Sequence, residues 1–135
     1  MTGKKPTLAL AAILIAASTM PAQASNTQTL ECIPDTSVPI YHNLFEFDFD
    51  AKTVHYYMAD DDGVAVKTGI DTSWTAKIKA TDQKITWSKH DEGMSMSAVL
   101  DRAANTLVSK MHMHMGGDVI DMTEHAKCQA WPPKK

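Results

Sequence analysis

The sequence predicts an all-β domain in which about eight antiparallel strands form a meander that closes into a small barrel or sandwich. Three observations support this fold class. Apolar and polar residues alternate with the period of two that is typical of half-buried strands. Turn-forming residues recur at roughly the 8 to 12 residue spacing of barrels and sandwiches. No long stretch keeps a helical period, so we expect strands throughout.

The N-terminus predicts a cleaved export signal. Lys4 and Lys5 form a short basic region, an apolar run spans Leu8–Ala17, and Ala-Gln-Ala at 22–24 offers the small residues that a signal peptidase requires. The apolar run is about half of the roughly 20 residues that cross a bilayer, which argues against a membrane anchor. We therefore expect cleavage after Ala24 and localisation in the bacterial periplasm or outside the cell.

This cleavage sets the domain organisation and the charge. It predicts a signal peptide over 1–24, a single β domain over 25–131 and a C-terminal tail over 132–135. Loss of Lys4 and Lys5 from the 13 basic residues leaves 11 against 16 acidic ones, so the formal charge changes from −3 to −5. An acidic chain of this kind is not expected to bind nucleic acid. We expect a monomer with no membrane span in the mature chain.

The two cysteines predict one disulfide bond. Cys32 and Cys128 lie near the two ends of the mature chain, without the spacing of a metal site, and exported proteins reach an oxidising compartment. A bridge that closes so long a loop stabilises the fold by roughly 4 to 5 kcal/mol in the chain-entropy description. It requires the first and last strands to be neighbours, as in a closed barrel.

The first strands follow from alternation. Phenylalanines at 45, 47 and 49 alternate with acidic residues over Leu44–Asp50, and a second strand covers Thr53–Ala59. The Asp-Gly pair that ends 60–63 predicts a hairpin turn. We expect Val64–Ile70 to continue the meander after that turn.

The later strands have the same pattern, with turns at Thr81–Gln83, His90–Gly93 and Arg102–Asn105. The predicted strands are Trp74–Lys79, Ile85–Ser88, Met94–Leu100, Thr106–Met115, Asp118–Thr123 and Lys127–Trp131. We interpret Arg102 as structural, holding its hairpin by bonds to carbonyl groups or to Asp101.

A Met-His-Met-His-Met segment is the most unusual local feature. On a strand, Met111, Met113 and Met115 share one face, whereas His112 and His114 share the other. Thioethers suit Cu(I), and imidazoles suit Cu(II) or Zn(II). The segment therefore makes copper or zinc a candidate cofactor.

A metal site here needs a ligand from elsewhere, because side chains two apart on a strand lie roughly 7 Å apart at Cα. Candidate further ligands are His90, His125 and Asp118. The alternative interpretation places the methionines in the core, where Met fills irregular space, and the histidines on the surface, with no cofactor. Both interpretations stay open.

The sequence contains no motif that predicts an enzyme. The acidic turn at 60–63 would put Met58 and Gly69 at the first and last positions of a calcium loop, so that pattern fails. A glycine-rich phosphate loop, a His-Glu-x-x-His motif and a Gly-x-Ser-x-Gly motif are all absent from the sequence. We therefore expect a non-enzymatic protein.

A succession of short motifs runs from Trp74 towards the C-terminus, over about two thirds of the mature chain. The motifs are Ile85-Thr86-Trp87, Leu100-Asp101-Arg102, Asn105-Thr106-Leu107, Gly116-Gly117 and Cys128. This layout resembles that of small exported bacterial β proteins of uncharacterised function. The resemblance implies the fold and the exported location and implies no activity.

The chain length and the cysteine at each end also resemble the layout of the periplasmic C-type lysozyme inhibitors. The chain lacks their Ser-Gly-x-x-Tyr and Trp-x-Lys-Gly stretches, so no inhibitory residue carries over. Three hypotheses follow: an envelope accessory protein that binds a protein or small-molecule partner, a copper or zinc protein, and a lysozyme or hydrolase inhibitor. Slowed lysis of a cell-wall suspension by lysozyme would identify the third.

Overall fold

Eight antiparallel strands form a closed barrel in the computed structural model, which describes residues 26–36, 38–67 and 72–132. The strands are β1 (Thr27–Pro34), β2 (His42–Asp48), β3 (Thr53–Ala59), β4 (Trp74–Ala80), β5 (Lys84–Asp91), β6 (Met94–Asp101), β7 (Thr106–Met115) and β8 (Asp118–Ala130). The predicted signal peptide, Ile70 and residues 133–135 of the predicted tail lie outside the described residues. Within the described ranges, no helix has the length and apolar character needed to cross a membrane.

The strands follow one another as a meander whose ends meet. Each strand pairs with the next, and β1 also pairs with β8, which closes the barrel. Cys32 and Cys128 are direct partners in that last pairing and are joined by a disulfide bond across a sequence separation of 96 residues. The predicted all-β meander and its disulfide are confirmed, and the barrel is the form that it takes.

Two strand predictions were wrong. The strands predicted at Asp118–Thr123 and Lys127–Trp131 are one continuous strand, because β8 pairs first with β7 and then, from Ala126 onward, with β1. The strand predicted after Gly63 is absent from the described part of Val64–Ile70, where Ala65 makes one isolated bridge to β3. The turn itself is confirmed, since Gly63 has a φ of 82° and donates its N–H to the carbonyl of Asp60.

The core fills the middle of the barrel with side chains from every strand. Its buried members are Leu30, Cys32, Phe45, Phe47, Val54, Ile78, Ile85, Trp87, Ala98, Leu100, Leu107, Ala126 and Cys128. They are inward residues that alternate with outward polar ones, as the period of two requires. Burial of this apolar surface is the main favourable term in folding.

One end of the barrel is closed by Phe49 and Arg102. Phe49 stacks on Phe47 with ring centroids 6.2 Å apart, and the guanidinium carbon of Arg102 lies 5.1 Å from the Phe49 ring centroid. Arg102 also donates to the carbonyl oxygen of Thr81 at 2.8 Å. These contacts agree with the structural interpretation of Arg102. The opposite end of the barrel contains a cavity and is called the open end below.

Candidate functional site

The open end of the barrel contains a cavity of about 380 Å³. Its walls are Cys32, Pro34, Asn43, Phe45, Tyr56, Trp74, Trp87, Met96, Ala98, Leu107, Ser109, Met111, Glu124 and Ala126. Most of these residues are inward members of their strands, so alternation directs them into the barrel. Clefts of this size, apolar with a few polar groups, are typical of small-molecule sites.

Four aromatic side chains form one wall of the cavity. The Phe45 ring centroid lies 5.1 Å from that of Tyr56, 5.8 Å from that of Trp87 and 6.3 Å from that of Trp74. Tyr56 and Trp74 stack with centroids 5.4 Å apart and ring planes inclined by 23°. Because Tyr56 and Trp74 are direct partners across β3 and β4, the strand register brings these two rings together.

A small number of polar groups accompany this aromatic wall. The Tyr56 hydroxyl donates to Oδ1 of Asn43 at 2.8 Å. Burial raises the pKa of Tyr56, and the negative charge of Glu124 raises that pKa further. The indole Nε1 of Trp87 is buried without a hydrogen-bond partner among the described residues. The Tyr56–Asn43 pair is placed to orient a ligand whose larger part is apolar.

Methionines form the facing wall. Met96 and Met111, which both line the cavity, are direct partners across β6 and β7, and Met122 continues the row on β8. Met94 and Met113 form the next row on the same face, one step nearer the open end of the barrel. Met122 is half-exposed, with 50% of its surface accessible, so this methionine face extends past the packed core.

The histidines of the Met-His segment lie on the outer face of the barrel, opposite the methionine face. The His112 and His114 ring centroids are 5.0 Å apart, and Nδ1 of His112 lies 2.5 Å from Oδ1 of Asp121. His90 stands in the same cross-strand row as His112, with Ser95 between them. Two strand spacings, roughly 9.5 Å, therefore separate the backbones of these two histidines.

The other proposed ligands are further apart. His125 pairs with Val108 on the outer face, whereas Asp118 pairs with Met115 at the tip of the β7–β8 hairpin. Among the described residues, no three His, Cys, Asp or Glu side chains are grouped so that they could hold a metal ion. The methionines and histidines of the Met-His segment also lie on opposite faces of the sheet, so they do not form one set of ligands.

A second polar cluster, which the sequence did not indicate, lies on the outer face where β1 and β2 meet. Glu31 is 5% exposed, and its carboxylate accepts a 2.9 Å hydrogen bond from Nε2 of Gln129 and contacts Nδ1 of His42. Nε2 of His42 lies 2.7 Å from Oδ1 of Asp61. Hydrogen bonds to the Glu31 and Asp61 carboxylates raise the pKa of His42, partly opposed by burial.

This cluster is covered by Trp131 and by the turn after β3. The rings of Trp131 and His42 are 4.6 Å apart between centroids, and Leu44 and Ala59 are completely buried. A Cβ on Gly63 would lie 3.4 Å from Nε1 of Trp131, so the turn packs closely on the indole. The cluster therefore links the C-terminal segment to the outer face of the barrel.

Comparison with known proteins gives no relative from which to carry residues over. No family model, curated protein or solved structure matches the chain. The resemblance to lysozyme inhibitors stays a prediction from layout.

Proposed function

We propose that the protein is an exported, non-enzymatic binding protein that holds a small, largely apolar ligand in the cavity at the open end of the barrel. The observation that carries this proposal is the set of four aromatic rings and two thioethers around about 380 Å³ of space. That volume falls within the roughly 300 to 1,000 Å³ of ordinary ligand pockets. A ligand would remove this apolar surface from water, which is the main source of affinity in such sites.

Two polar groups of the cavity, Asn43 and Tyr56, support binding rather than turnover. The Asn43 side-chain oxygen already accepts a hydrogen bond from Tyr56, and the raised pKa of Tyr56 keeps its hydroxyl protonated near neutral pH. Neither group is then available as a base.

The exported location is supported by two features of the chain. The N-terminal sequence has the order of a signal peptide, and the Cys32–Cys128 bond is of a kind that persists in oxidising compartments. The proposed partner is accordingly a small molecule of the cell envelope or its surroundings.

Titration of the disulfide-bonded protein with a small aromatic probe tests the proposal. Trp74 and Trp87 line the cavity, so a bound probe should change the tryptophan fluorescence with a saturable dependence on concentration. Replacement Trp74→Leu should weaken binding at least about fivefold, because it removes one stacked ring of the wall.

The matched control is Tyr57→Leu, which changes an aromatic ring on the outer face of β3. This variant should bind the probe with unchanged affinity. A linear, non-saturable response, or an equal loss of affinity in both variants, would contradict binding in the cavity.

A second candidate function is binding of Cu(I), and the row of Met96, Met111 and Met122 favours it. Met111 is the direct cross-strand partner of both Met96 on β6 and Met122 on β8, so the three side chains lie in one row on the same face of the sheet. Thioethers are ligands that select Cu(I), and the flexible Met side chain can turn its sulfur towards a shared ion. The half-exposure of Met122 leaves that face open to a metal.

Competition with a Cu(I) chelator of known affinity tests this candidate. Met111→Leu should lower Cu(I) affinity at least about tenfold, since Met111 is the middle member of the row. The double replacement His112→Ala with His114→Ala should leave Cu(I) affinity unchanged. Loss of binding in the His variant would instead assign the metal to the imidazoles on the outer face, which also suit zinc and Cu(II).

A further inference from the structure

We infer that the ligand of the cavity is an organic cation, with an ammonium or quaternary ammonium group that pairs with Glu124 while its apolar part contacts the aromatic wall. This inference rests on the proposed function and names the class of ligand. It depends on the position of one carboxylate relative to the aromatic rings.

Glu124 lies on the inward face of β8, two residues before Ala126, which is buried in the core. Its direct partner across β7 is Ser109, and both residues line the cavity. Among the described residues that form the cavity, Glu124 has the one charged side chain. It takes part in none of the ion pairs made by the described residues.

The charge of Glu124 reaches the aromatic wall. The negative charge of Glu124 raises the pKa of Tyr56, and the burial of Tyr56 raises it by more. Tyr56 is stacked on Trp74 and contacts Phe45, so the negative potential of the carboxylate and the negative faces of the rings act on the same space.

Anionic, neutral and cationic ligands would interact differently with this arrangement. An anion would be repelled by Glu124, and a neutral ligand would displace water from the carboxylate without replacing its favourable interactions. A cation gains both the ion pair and the attraction of the ring faces, as in aromatic sites for quaternary ammonium groups. The cavity is therefore expected to discriminate between molecules of the same shape by their charge.

Two probes of matched shape test this expectation. (4-Hydroxyphenyl)trimethylammonium and 4-tert-butylphenol differ by the replacement of a charged nitrogen with a carbon. We expect the cation to bind the disulfide-bonded protein about tenfold more tightly than the neutral probe. Isothermal calorimetry or tryptophan fluorescence measures both dissociation constants.

Two glutamine variants assign the preference to a residue. Glu124→Gln should remove most of the preference for the cation, because it removes the ion pair and leaves the aromatic rings in place, with little change in the affinity for the neutral probe. Glu46→Gln removes a carboxylate from the exposed side of β2 and should leave both affinities unchanged. Both positions are exposed, and thermal unfolding verifies that each variant is folded.

The outcomes separate the two proposals. Equal binding of the two probes by the unmodified protein, or a preference for the cation that is undiminished in Glu124→Gln, would overturn the inference and leave the proposed function intact. Failure of both probes to bind would overturn the proposed function and the inference with it. The comparison of probes on the unmodified protein does not depend on any variant.

Discussion

Nε2 of His42 lies 2.7 Å from Oδ1 of Asp61 and thereby joins the start of β2 to the turn that follows β3. Nδ1 of the same ring contacts the buried carboxylate of Glu31 on β1. One imidazole therefore connects three separate segments, namely β1, the start of β2 and the turn after β3. Because Gln129 and Trp131 complete the cluster, it also fastens the C-terminal end of the chain to the barrel.

The stability of the fold should depend on the charge of His42. Its pKa is raised in the folded state, so the stabilisation is fully present below the unfolded value of 6.5 and is lost as pH rises through the folded pKa. His42→Ala should therefore lower the free energy of unfolding more at pH 5.5 than at pH 8.5. At the lower pH, we expect a loss of about 2 kcal/mol, since Glu31 keeps only its bond from Gln129.

Urea unfolding at the two pH values measures this difference. The control is His55→Ala, which removes a partly exposed imidazole that bonds to the Thr75 hydroxyl and not to a carboxylate. A larger loss for His42→Ala at pH 8.5 than at pH 5.5 would contradict the assigned role of His42.

The disulfide bond should make a large contribution to stability. The double replacement Cys32→Ser with Cys128→Ser opens a loop with a sequence separation of 96 residues. We expect the free energy of unfolding to fall by about 4 kcal/mol, because the denatured chain gains the freedom of that loop. The urea midpoint measures the change, and reduction of the unmodified protein should produce a similar shift. An unchanged midpoint would refute this contribution.

Arg102 should support the closed end of the barrel and have no part in ligand binding. Arg102→Met removes the bond to the Thr81 carbonyl and the contact with the Phe49 ring. We expect a loss of about 1 to 2 kcal/mol in the free energy of unfolding. Probe affinity should not change, because the cavity lies at the opposite end. Weaker probe binding by a fully folded variant would show that Arg102 acts on the site.

The local sequence pattern was sufficient to predict the fold class, because apolar and polar residues alternate within each half-buried strand. The opposite faces of His112 and Met111 follow from the same rule, and the disulfide follows from having only two cysteines. The aromatic wall could not be predicted in this way. Tyr56 and Trp74 meet through a strand pairing, and the register of that pairing is not visible in either segment alone.

The sequence did not predict the cluster at Glu31, and the physical reason is a different one. Alternation puts Glu31 on the outward face between the buried Leu30 and Cys32, where a charged residue is ordinary. Its burial depends on Trp131, which returns to that face because its N–H donates to the carbonyl of Thr29. The row of Met96, Met111 and Met122 likewise depends on register across three strands.

The central claim is that a ligand binds in the cavity at the open end of the barrel, and methionine methyl groups report on it directly. Met96 and Met111 line the cavity, whereas Met115 is exposed at the far end of β7. In ¹³C-methyl-methionine NMR spectra of the disulfide-bonded protein, the cationic probe should shift the Met96 and Met111 signals with a common, saturable dependence on concentration. The Met115 signal should stay in place. Saturable shifts confined to Met115, or no shift at Met96 and Met111 under saturating probe, would contradict the account.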